Sequence, residues 1–149
     1  MKLHHVCGLA AVLFATAGHA QTPFQKPEDA VKYRQSALSV MGTHFSRLGG
    51  MANGRVPFDA AVAQENAALV RTLSRLPWAG FTPDTQGLTT KAKPEGWRET
   101  ERFQGAAEKM QAAVAELDAA ARTGDLNAIR KTFGDAAASC KACHDHFRR

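Results

Sequence analysis

No feature constrains this chain more than the stretch Cys140-Lys141-Ala142-Cys143-His144. Two thiols separated by two residues, with a histidine directly after the second, form the pattern that attaches a c-type haem. On a helix, positions three apart share a face, so both sulfurs reach the two vinyl groups along one porphyrin edge. The adjoining His144 then offers its imidazole to the iron as axial ligand. C-x-x-C also serves zinc sites and dithiol redox sites. A zinc site usually takes a second ligand pair, and the chain holds no other C-x-x-C and no H-x-x-x-H. A thioredoxin-like site needs a strand before the motif, and none is legible there.

The length, 149 residues, suggests one domain. Residues 1–20 read as a secretory signal peptide. Lys2 gives the positive start, an apolar run follows from Val6 to Ala17, and Gly18-His19-Ala20 ends small-x-small, with cleavage expected after Ala20. The apolar run is too short to span a bilayer, and the later sequence carries charges throughout, so no membrane insertion is expected. Cys7 leaves with the leader, which places both remaining cysteines of the 21–149 domain in the motif. Export and haem attachment outside the cytoplasm are consistent with each other, and no cysteine is left for a structural disulfide. The formal charge is +5, or +4 once Lys2 is removed, and it is spread along the chain. That suits solubility and weak steering toward acidic partners, not nucleic-acid binding.

The remaining pattern is helical. Pro27-Glu28-Asp29 opens a first helix expected over residues 27–48 and stopped by Gly49-Gly50. Its inner stripe reads Val31, Arg34, Gln35, Leu38, Met41, Phe45 and Leu48. A second helix is expected over 57–76, with Phe58, Val62, Asn66, Leu69, Leu73 and Leu76 inward and Pro77 as its stop. Residues 77–94 form a long crossover anchored by Trp78, Phe81 and Leu88, placed to cover one edge of a cofactor. A third helix is expected over 95–123, ended by Gly124. Asp125 caps a fourth that runs to the C-terminus with Ile129, Phe133, Cys140, His144 and Phe147 on one face. Strand-like alternation is missing, so the expected class is all-α, an antiparallel four-helix bundle with the haem motif in its last helix.

The iron's sixth position separates functions, because electron carriers usually hold two strong axial ligands while an open position suits small gases. The candidates are Met41, Met51, Met110, His44 and His146. Met41 lies on the inner stripe and is either a ligand or a core methionine filling a gap. His44 lies beside the stripe, where a polar partner or solvent suits it better than iron, and His146 points away from His144. Leu38 cannot bind iron; on the distal side it would exclude water and larger ligands. Arg34 on an apolar stripe needs an anion, either a haem propionate or a surface acid reached by snorkelling. Gln35 either joins it on a propionate or is a boundary residue. Arg148, one turn beyond His144 on the expected helix, either sits over the proximal haem face or serves the helix dipole. No acid/base pair is legible beside the iron, so an enzyme of the peroxidase type is not expected.

Together these residues resemble the cytochrome c′ family over nearly the whole chain after the leader. The resemblance is carried by Pro27-Glu28-Asp29-Ala30-Val31-Lys32-Tyr33-Arg34-Gln35, Met41 with His44-Phe45, Pro57-Phe58-Asp59-Ala60-Ala61, Leu76-Pro77-Trp78, Lys93-Pro94-Glu95 with Trp97, Gly124-Asp125-Leu126, and the C-terminal haem motif. It implies one covalent haem c per chain, five-coordinate and mainly high-spin. It implies Leu38 as distal blocking residue, Arg34 and Gln35 as a haem-contacting pair, Lys91 as a crossover contact and Arg148 as the basic proximal residue. It further implies a periplasmic homodimer packed through the first two helices that binds nitric oxide and carbon monoxide, in nitric oxide handling. The competing expectation is an electron carrier between periplasmic redox proteins.

Overall fold

The computed structural model describes residues 24–149; the expected leader and its cleavage site lie outside the described residues. The described elements are α1 (Pro27–Ala52), α2 (Ala60–Leu73), two 3-10 turns (Pro77–Gly80 and Pro83–Thr85), a short α3 (Glu95–Arg98), α4 (Thr100–Thr123) and α5 (Leu126–Phe147). The long helices α1, α2, α4 and α5 pack as an antiparallel four-helix bundle. Among the described residues no helix is long and apolar enough to cross a membrane.

Pro27 in the first turn and the acids Glu28 and Asp29 start α1 as expected. The helix does not stop at Gly49-Gly50 but runs on to Ala52. Gly49 serves packing instead: a Cβ there would lie 2.7 Å from Phe133 Cζ on α5. Phe133 uses that space to stack on Phe45 of α1, with ring centroids 4.5 Å apart. The stop comes one turn later, where the side chain of Asn53 donates to Gly49 O at 2.8 Å.

Asp59 caps α2 by accepting from the Val62 amide at 3.0 Å. Its inward face differs from the expected stripe. Ala63, Asn66, Ala67 and Val70 are buried, while Val62, Leu69 and Leu76 are 42%, 36% and 38% exposed. Small alanines let α2 approach its neighbours closely beside Val70, while Val62 and Leu69 are turned outward. Buried Asn66 is satisfied by His44 Nδ1 at 2.8 Å and by donating to Val62 O at 2.7 Å.

The expected third helix is divided. Glu99 (φ −109°, ψ 53°) separates α3 from α4. There its carboxylate accepts from Arg102 at 3.1 Å and lies 2.7 Å from His146 Nε2. The Trp97 indole meanwhile donates to Thr82 O at 3.0 Å and draws α3 onto the crossover. Gly124 ends α4 and Asp125 caps α5 by accepting from the Asn127 amide, both as expected. The core is built on Leu48, Val70, Val114, Leu117 and Ile129. Asp118, fully buried on α4, accepts from Arg71 of α2 at 2.9 Å and from Arg122 at 2.7 Å.

Helix α5 ends at Phe147, so Arg148 follows the helix in an extended conformation and does not continue it as expected. Arg148 is extended and pairs antiparallel with Ala92 of the crossover. The Lys93 amide donates to Phe147 O and the Arg149 amide to Lys91 O, each at 2.9 Å. The helix gives way there because the crossover offers its last residues main-chain partners that a helical continuation would forgo.

Candidate functional site

Between α1, α4, α5 and the crossover lies a cavity of about 600 Å³. Cys140, Cys143 and His144 line it from α5, and Leu38, Met41 and Phe45 line it from α1. Phe103 and Met110 of α4, with Trp78 and Phe81 of the crossover, complete an apolar wall. Aromatic packing keeps that wall in place: Phe81 and Phe103 lie 4.8 Å apart, and Phe103 meets Phe147 edge-on at 5.0 Å. The crossover thus docks through Trp78 and Phe81 where the sequence suggested.

Burial pushes both thiols of the motif above their ordinary range; at Cys140 a hydrogen bond from Ser139 opposes it, and at Cys143 the neighbouring Cys140 adds to it. Burial also lowers His144, aided by the positive charge of Arg148 and opposed by Asp145. The imidazole is therefore held toward its neutral form, the form that binds a metal.

Arg34 is 2% exposed and does not snorkel to a surface acid. One guanidinium nitrogen, Nη1, donates to Gly80 O at 2.6 Å and to Thr85 Oγ1 at 2.8 Å. Its plane lies over Phe81 and Trp97, 4.4 and 5.2 Å from the ring centroids. Gly80 is required for this approach, since a Cβ there would meet Ala30 O at 2.5 Å. Desolvation lowers the guanidinium's affinity for its proton. Its other nitrogen, Nη2, is buried without a partner among the described residues. A buried cation with a spare donor on the wall of an apolar cavity fits the carboxylate of a porphyrin. The strut between Arg34 and the 3-10 turns was not legible in sequence; Trp97 and Phe81 were visible as aromatics, but not as its stacking faces.

The other expected site residues divide clearly. Gln35 and Lys91 stand exposed on the cavity rim, Leu38 is half-buried in its wall, and Arg148 reaches the rim from its extended position. Of the sixth-ligand candidates, His44 is bonded to Asn66 and His146 to Glu99. Met51 belongs to the core and lines an outer groove instead, whereas Met41 and Met110 line this cavity.

Known proteins share this fold. The family model for Cytochrome C' matches residues 29–148. The cytochrome c′ of Rubrivivax gelatinosus is 51% identical over 126 residues, covering 84% of this chain and 98% of that relative. That of Alcaligenes xylosoxydans xylosoxydans is 48% identical, covering 85% and 98%. The crystal structure of the Rubrivivax gelatinosus protein superposes with a TM-score of 0.81 at 50% identity, over 85% of this chain and 99% of that one. A leucine-to-alanine mutant of cytochrome c prime from Alcaligenes xylosoxidans, solved as its nitric oxide complex, superposes at 0.80 with 48% identity, over 85% and 98%. Bundle and cavity define a helical c-type haem protein. The chain belongs to the cytochrome c′ family, whose members carry covalently bound haem c.

Proposed function

We propose that this protein binds nitric oxide, and carbon monoxide, at a five-coordinate haem iron and sequesters nitric oxide in the periplasm after removal of residues 1–20. The observation that carries the reading is the cavity wall on α1. Leu38 and Phe45 cannot ligate iron, the two nearby histidines are engaged with Asn66 and Glu99, and Met41 is the one residue of that wall able to ligate. Cys140 and Cys143 would hold the porphyrin through thioethers, and His144 would bind its iron. A porphyrin brings its own four nitrogens, so one side chain suffices. Arg34 offers Nη2 to a propionate, with Gln35 and Lys91 beside it on the rim.

When bound, the haem supplies iron that takes up a diatomic gas. The protein's part is to exclude. Leu38, half-buried in the cavity wall, would keep out water and bulky ligands and would have to yield to a small gas. His144, held toward its neutral form, would be the side chain that binds the iron. Arg148 places a cation near His144. Nitric oxide complexes of cytochrome c prime variants at one leucine and one arginine support gas binding in a closely similar fold. The test is the visible spectrum of the ferrous protein with and without nitric oxide. A high-spin spectrum that changes on adding the gas is expected; a six-coordinate, low-spin ferrous spectrum without added ligand overturns the reading.

One observation favours a second reading, electron transfer between periplasmic redox proteins. Met41 lines the cavity and carries a sulfur. Replacing it by leucine abolishes a methionine-to-iron absorption band if Met41 is a ligand and leaves the spectrum unchanged if the site is open. The outer faces of α1 and α2 support homodimerisation: Val40, Val62, Leu69 and Leu76 are large, apolar and exposed there or just beyond α2.

A further inference from the structure

The cavity's lining holds Arg34, Lys91 and Arg148 and neither an aspartate nor a glutamate. Arg34 is internal. Lys91 and Arg148 are exposed and line the cavity at once, which places them where it meets solvent. They are brought together by the pairing of residues 91–93 with 147–149, and the same pairing adds Lys93 and Arg149. Lys93 Nζ also donates to Asp145 O at 3.0 Å, fixing the two segments from the side. Among the described residues, the side chains of Lys91, Arg148 and Arg149 make no hydrogen bond or ion pair. Of the neighbouring acids, Asp145 is engaged with Lys141 and Glu99 with Arg102 and His146, while Glu95, two residues from Lys93, makes no ion pair among the described residues.

We propose that this clip is a docking surface for an acidic face of a one-electron redox protein, placed at the mouth of the haem cavity. The proposal rests on haem occupying the cavity and on the electron-transfer reading, and gas binding does not depend on it. A porphyrin brings two carboxylates, fewer than the three cations of the wall, and Lys93 and Arg149 lie outside that wall. Gathering like charges on one short clip costs repulsion, which the main-chain bonds offset. What the cluster supplies is an attractive field at the edge where an electron must pass. A long basic tract suited to nucleic acid is missing, so complementarity points to a compact acidic protein surface. The step moves one electron between the haem iron and the partner's redox centre; no atom or proton is transferred.

The test uses the haem-loaded protein and three probes. Hexacyanoferrate(III), a trianion, takes one electron from the ferrous protein and becomes hexacyanoferrate(II). Tris(phenanthroline)cobalt(III), a trication, does the same and becomes cobalt(II). An acidic plant-type ferredoxin serves for equilibrium binding. At low salt, the double variant Lys91→Glu and Arg149→Glu is expected to slow oxidation by hexacyanoferrate by about tenfold or more and to speed oxidation by the cobalt complex. The variant Arg55→Glu and Lys109→Glu makes the same change in net charge elsewhere and is expected to shift both rates far less. Ferredoxin is expected to move the amide resonances of Lys93 and Arg148 in the parent and not in the first variant. Equal rate shifts in the two double variants overturn the proposal, as do ferredoxin shifts confined to the outer faces of α1 and α2. Loss of haem absorbance from the parent protein would instead strike the cofactor reading, so the two failures are distinguishable.

Discussion

Arg34 does two things with one guanidinium. Nη1 ties α1 to the crossover through Gly80 and Thr85, and Nη2 remains available inside the cavity. Lysine cannot replace it, because an ammonium lacks the plane that stacks on Phe81 and Trp97 and the fork that serves two directions. Arg34→Lys is expected to lower stability by about 1.5–3 kcal/mol, the range for hydrogen bonds to a charged group, in thermal or denaturant unfolding. A loss within experimental error would show that the crossover is held by its aromatics alone. Leu38 is half-buried, so Leu38→Ala should cost less than the roughly 2–5 kcal/mol of a fully buried leucine. The same change should speed and tighten gas binding in rapid-mixing measurements, and unchanged affinity would contradict its steric role. Residue identities of this kind were half legible. Arg34 was conspicuous as a charge on an apolar stripe, but its partners are main-chain and hydroxyl oxygens far away in sequence. No periodicity announces such partners.

At the scale of elements, helix starts were easier to read than helix ends. Starts rest on local chemistry, as Pro27 and the caps Asp59 and Asp125 show. Ends rest on what lies alongside. Gly49 continues α1 because Phe133 needs the room, and Arg148 leaves α5 because the crossover pairs with it. Glu99 interrupts the expected third helix at a meeting of Arg102 and His146. Its carboxyl is held below the ordinary range, chiefly by the His146 hydrogen bond and further by Arg102. A carboxyl depressed in the folded state stabilises above its unfolded value, and that contribution is lost as pH falls through the folded value. Glu99→Gln should therefore reduce the melting temperature near neutrality. The gap to the parent should close as pH drops below about 4.5. A gap independent of pH would assign Glu99 a packing role only.

At the scale of the molecule, the bundle and its cofactor were legible because both rest on periodicity and on covalent chemistry five residues long. The inward face of α2 was not. Two stripes run along that helix, one of large apolar residues and one dominated by alanine, and hydrophobicity alone selects the larger. The structure buries the alanines against the other helices and leaves Val62 and Leu69 outside. If those residues meet a second copy, the periodic reading found a subunit contact and not the core. Leu69→Glu, which adds a charge to an exposed position, should then convert a dimer to a monomer in sedimentation or light scattering with little change in the haem spectrum. A species of unchanged mass would place the contact elsewhere.

The pairing of residues 91–93 with 147–149 also changes how the last helix behaves as a mechanical part. A terminal helix held at its start alone is a cantilever, free to bend most at its tip. Here α5 is fixed by the Asp125 cap at one end and by the crossover at the other, so it acts as a beam with two supports. His144 lies three residues from the second support. The main-chain bonds at Phe147 thus join the floor of the cavity, where His144 stands, to the segment that carries Lys91 and Lys93 on its rim.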